Sequence, residues 1–120
     1  MARYVDSFVI PVPKKRMAEY LRLARLSAKV WTDCGALEYH EAVADDAPAG
    51  KRTSFPRSVK AKGGETVTVA FIVYKSRAHR DKVNAKAMND PRLAAFMDPK
   101  KLPFDGKRMF WGGFRTIVER

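Results

Sequence analysis

Residues 66–74, TVTVAFIVY, consist largely of β-branched and aromatic residues, and their reading decides the fold class. Such residues suit a pleated, half-buried surface, so Thr66–Tyr74 reads as a strand. Val67, Val69, Phe71 and Val73 fill one of its faces, yet Ala70, Ile72 and Tyr74 fill much of the other. An antiparallel sheet with one wet face alternates apolar and polar residues, and this strand does not. Both of its faces need cover.

Downstream, Ser76 is placed to cap a helix running to about Met88. Pro91 begins a short turn through Ala94, Ala95 and Phe96, DPKKLPFDG follows as a loop, and Arg108–Val118 reads as a strand. That strand sets Met109, Trp111 and Ile117 against Phe110, Phe114 and Val118, again apolar on both sides. Upstream, Asp45–Glu65 is a long loop broken by Pro48, Gly50, Pro56, Gly63 and Gly64. Loops of this length are functional, disordered, or conceal a short helix. Leu37–Ala44 reads as a strand with Leu37, Tyr39 and Val43 on one face and His40 and Ala42 on the other. Lys14–Asp33 reads as a helix with Met17, Tyr20, Leu21, Ala24, Ala28 and Trp31 as its main apolar stripe. Leu23, Leu26 and Val30 form a second stripe, and Gly35 suits the left-handed position past the helix end. Tyr4–Val12 is the first strand, closed by Pro11-Val12-Pro13 because proline has no N–H for a ladder.

The order is β-α-β, long loop, β-α-β. FVIPVPKKRMAEY from Phe8 and FIVYKSRAHRDKV from Phe71 both run from strand into helix. This predicts an α+β, ferredoxin-like split βαβ fold over residues 1–120 as one domain: a four-stranded antiparallel sheet with two helices on one face. The second apolar sheet face predicts a homodimer whose sheets pack together as a dimeric α+β barrel. Cover by the 45–65 loop within one chain is the alternative.

Twenty-four Lys and Arg against 13 Asp and Glu give a net charge of +11, which favours encounter with polyanions or anionic ligands and says little about fold. No apolar run reaches the roughly 18 residues of a membrane span, and the start lacks the pattern of a secretory signal. Cys34 is the single cysteine. The expectation is a cytoplasmic protein with no membrane partner, no cofactor and no metal.

The runs YVDSFVIPVPKK, GALEYHE, VYKSRAHRDKVNAKAMNDPR and PFDGKRMFWGGF resemble the YbaA-like family of uncharacterised bacterial proteins, domain of unknown function 1428, over nearly the whole chain. The resemblance implies the dimeric α+β barrel shared with antibiotic-biosynthesis monooxygenases, a superfamily that holds cofactor-free oxygenases, haem-degrading enzymes, isomerases and non-catalytic binders. It implies no catalytic residues, and fold alone supplies no function.

The candidate residues each carry two readings. His40 is a general base or metal ligand in a barrel cavity, or a packed histidine. His79, in the first turn after Ser76, is an acid/base group or a surface histidine. Arg77 and Arg80 flank it, and KSRAHR with free helix amides would hold an anion, or is a solvated face. Asp105 and Arg108 bracket an ordinary Asp-Gly turn, or pair at a cavity mouth. Tyr39, Tyr74, Phe71 and Trp111 line a pocket, or are core. Cys34 at a helix C-terminus is a poor nucleophile. Together these predict a homodimeric barrel binding a small anionic or aromatic molecule, with cofactor-free chemistry as an extension. Nucleic-acid binding is the second hypothesis, through Arg22, Arg25 and Lys29 and the basic loop (Lys51, Arg52, Arg57, Lys60, Lys62), although no stacking aromatic pair of the RNA-binding type is visible. A structural or regulatory dimer is the third.

Overall fold

The computed structural model describes residues 2–120, with elements in the order β1 (Tyr4–Pro13), α1 (Met17–Asp33), β2 (Glu38–Val43), α2 (Phe55–Ser58), β3 (Glu65–Tyr74), α3 (Arg77–Met88) and β4 (Phe110–Arg115). The strands form one antiparallel sheet in the order β2-β3-β1-β4. β3 therefore lies between the two strands that α1 connects, and β1 between the two that α3 connects. This is the split βαβ arrangement of an α+β, ferredoxin-like fold.

β1 runs through Pro11 and ends at Pro13, one residue beyond the expected Val12. Lys14 N–H donates to Gly64 O and Thr116 N–H donates to Arg3 O, so even-numbered amides of β1 point toward β3 and odd-numbered ones toward β4. β4 pairs with β1 only from Tyr4 to Val9. Both prolines thus sit where their missing N–H would have faced no strand. β4 is shorter than expected: it ends at Arg115, leaving Ile117 and Val118 exposed beyond it.

The apolar stripe of α1 also differs from expectation. Leu21 is exposed, whereas Leu23 is buried beside Tyr20 and Ala24. The second stripe is not spare surface: Val30 packs with Ala87 and Leu93, and Leu26 joins the same cluster. The helix ends where Gly35 takes φ +119°, a value side chains resist. Ser76 caps α3 by accepting from His79 N–H at 3.1 Å.

The long loop folds on itself. Ser54 caps the four-residue α2, Arg57 donates to the carbonyls of Ala49 and Gly50, and Val59 is buried. α2 packs against β3, and Pro11 and Val67, paired on the sheet face away from α1 and α3, are buried. The rest of that outer face stays open, with Phe71 41%, Phe110 47% and Phe114 59% exposed. Loop cover is partial.

Among the described residues, no helix is long and apolar enough to cross a membrane.

Candidate functional site

The inner sheet face and the two long helices do not close on each other. Between them lies a cavity of about 430 Å³. Its sheet side is Asp6, Phe8 and Ile10 from β1, Tyr39 and Glu41 from β2, Ala70 and Ile72 from β3, and Trp111 from β4. Tyr20, Leu23, Ala24, Ser27 and Trp31 of α1 and Asn84 and Met88 of α3 form the opposite wall, and Phe104 and Met109 also line it. The lining follows from alternation: even residues of β1 and β3 and odd residues of β2 and β4 share the inner face. It is mostly apolar and strongly aromatic.

Two carboxylates break that surface. Glu41 accepts from the hydroxyls of both Tyr20 and Tyr39, the latter at 2.8 Å. Thr68 Oγ1 donates to the Tyr20 hydroxyl at 2.9 Å. Burial, and then the Glu41 charge, push both tyrosine hydroxyls well above their ordinary range, so they stay protonated and keep donating. No cation pairs with Glu41 among the described residues.

Asp6, 1% exposed, is held differently. Arg80 Nη1 donates to it at 3.0 Å and Asn84 Nδ2 at 3.4 Å. Burial raises its carboxyl above the ordinary value, and Arg80 opposes that shift without cancelling it. Asn84 Oδ1 accepts from Trp31 Nε1 and from the Tyr74 hydroxyl, both at 3.0 Å. Arg80 lies 5.0 Å from the Tyr4 ring centroid and 5.9 Å from that of Trp111. Gly113 gives Tyr4 its place, since a Cβ there would collide with the tyrosine ring and hydroxyl. Among the described residues, no group of three or more His, Cys, Asp or Glu side chains is placed to hold a metal ion.

The family described as a protein of unknown function, DUF1428, matches residues 3–106. The chain belongs to the DUF1428 family. It is 42% identical over 117 residues, 98% of each chain, to the uncharacterized protein YbaA of Escherichia coli K12, and to the same degree to YbaA of Shigella flexneri. Among solved structures it is similar to a dimeric ferredoxin-like protein from an uncultured marine organism, with a TM-score of 0.59 and 13% identity over the whole of both chains. At that identity the likeness shows the fold alone.

Of the residues singled out from sequence, Tyr39 and Trp111 line the cavity of this DUF1428 chain, and Tyr74 and Arg80 join the network beneath it. His40 projects from the outer face, stacked on Phe71 at 4.5 Å and 2.9 Å from Glu38. His79 accepts from Lys75 N–H at Nδ1 and does not line the cavity. Arg77 is exposed, 4.0 Å from Asp81. Arg22 and Arg25 are exposed on α1, and Lys29 pairs with Asp33.

Asp105 and Arg108 form a clamp beside the cavity-lining Phe104 and Met109. Arg108 donates to Asp105, to both oxygens of Glu65, and to the carbonyls of Val59 and Lys60, tying the long loop to the fourth-strand approach. Its hydrogen bonds hold the Glu65 and Asp105 carboxyls below their ordinary values. A carboxyl whose folded value is lowered stabilises above its unfolded value and loses that contribution as pH falls through the folded one. Arg108→Met should therefore melt several degrees below wild type at neutral pH. The gap should narrow as pH falls below the ordinary glutamate value of 4.5, as thermal melts across acid pH would show.

Sequence reasoning did not single out Glu41, Asp6 or Asn84. The signal for Asp6 was present: it is the lone acid among the inward positions Tyr4, Asp6, Phe8 and Ile10. Glu41 shares its face with Tyr39 by the same alternation, and Asn84 stands one helical turn beyond Arg80.

Proposed function

We propose that this chain is a homodimeric small-molecule-binding protein, each protomer holding a small aromatic ligand between its sheet and its helices. The observation that carries this reading is the cavity itself. Interiors are close-packed, with few voids larger than a water molecule. A lined space of about 430 Å³ falls in the range of small-molecule sites. Six of its 17 lining residues are aromatic, and a few inward polar groups would fix a ligand's orientation. Any cofactor-free chemistry in this reading is proton transfer at Glu41, with the Tyr20 and Tyr39 hydroxyls steadying the carboxylate.

Self-association has separate support. Phe71, Phe110 and Phe114 leave a large apolar surface on the outer face that the loop does not cover. The marine protein with the same fold is described as dimeric. His40 then belongs to the interface rather than to the ligand site.

Native mass spectrometry of freshly purified protein tests both parts. The expected spectrum is a species of twice the 13.6 kDa chain mass carrying a reproducible small adduct. A monomer, or a dimer that takes up no aromatic probe, contradicts the corresponding half.

A further inference from the structure

We propose that the ligand is a small aromatic cation, an amine or protonated heterocycle; this rests on the cavity being a binding site. The overall charge of +11 pointed the other way, toward an anion. At the cavity wall the balance reverses. Asp6 and Glu41 line it, and among the described residues no lysine, arginine or histidine does. Arg80 compensates Asp6 from beneath. Among the described residues, Glu41 is answered only by two neutral hydroxyls.

The donor and acceptor inventory agrees. A carboxylate has about four lone-pair sites, and the tyrosines occupy two of those on Glu41. Both tyrosine protons are committed to it. Asn84 Oδ1 already accepts twice, and its amide turns toward Asp6. What remains open at Glu41 is acceptor capacity, so the matching ligand is a donor. A charged donor gains most, because charge-assisted hydrogen bonds are about twice as strong as neutral ones.

The aromatic walls favour the same charge. Rings present a negative face, and a cation within about 6 Å of a ring centroid is attracted to it. Trp31, Phe8, Phe104 and Trp111 all line the same cavity as Glu41. A carboxylate or phosphate ligand would lose its hydration to meet two acids. The positive surface repels cations at long range, but salt screens exposed charges beyond about 8 Å at physiological strength. The contacts inside the cavity decide.

Three probes of one shape test this: 2-phenylethylamine, 2-phenylethanol and phenylacetate, titrated at neutral pH while tryptophan fluorescence is followed. Both tryptophans of the chain line the cavity. The expected order is amine, alcohol, carboxylate, with the amine about tenfold tighter than the alcohol. Glu41→Gln should collapse the amine-to-alcohol ratio toward one. Equal binding of amine and alcohol to wild type, or phenylacetate binding tightest, overturns the cationic assignment while leaving the cavity a binding site. Binding of none of the three removes both. The wild-type ranking decides the question even if the variant fails to fold.

Discussion

Arg80→Met should destabilise the protein by about 3–5 kcal/mol, the cost of leaving a buried carboxylate without its partner. Asp6 is 1% exposed, and Arg80 is the cation that meets its charge, with Asn84 beside it. Its carboxyl already sits above the ordinary value because burial outweighs the guanidinium, and removing Arg80 drives it further up. A carboxyl whose folded value is raised is most favourable to folding below its unfolded value, and that contribution is lost as pH rises through the folded one. The variant should therefore gain stability relative to wild type as the pH is lowered from neutral toward 5. Asp6→Asn in the Arg80→Met background should recover much of the loss, since a neutral amide needs no counter-charge. Urea melts of wild type, Arg80→Met, Asp6→Asn and the double variant at two pH values check this. Simple additivity of the two substitutions would mean that the pair is not coupled.

Phe71→Glu should convert the proposed dimer to a monomer. Phe71 sits on β3 opposite Ser7 and His40, in the middle of the open apolar face. A two-fold interface loses each substituted side chain twice. Phe71 is 41% exposed in the protomer, so its remaining burial is worth roughly 0.6–1.2 kcal/mol per copy; losing it twice weakens the dissociation constant roughly 10- to 50-fold, and the cost of burying two new charges adds to that. Sedimentation equilibrium should show the 13.6 kDa chain alone. Leu21→Glu, on the exposed side of α1, should leave the dimer intact. A Phe71→Glu protein that still sediments as a dimer would place the interface elsewhere.

Much of the fold was legible because its signals are local. TVTVAFIVY, the Ser76 cap and the glycine after Trp31-Thr32-Asp33-Cys34 act through neighbours a few residues away, and they located β3, α3 and the end of α1. The prolines marked the end of β1 to within one residue, while the place of Pro11 inside the ladder depends on where β4 stops, a fact about a strand a hundred residues later. Leu21 and Leu23 exchanged roles because one helix with two apolar stripes does not say which one meets the sheet. At the site, Tyr39 and Trp111 were visible as inward aromatics on strands. Glu41 and Asp6 were not singled out, since an acid on a strand reads as solvated until a second element is known to cover it. Arg80 was read as part of a surface anion site because its partner Asp6 lies 74 residues away.

The central claim is that the space between sheet and helices is a ligand site, and the two tryptophans make it directly testable. Trp31 and Trp111 are the chain's only indoles, and both line the cavity. In a titration with 2-phenylethylamine followed by amide-and-indole correlation spectra, both indole N–H signals should move together and saturate at one affinity. If the probe binds and neither indole signal moves, the ligand sits elsewhere and the cavity is not the site.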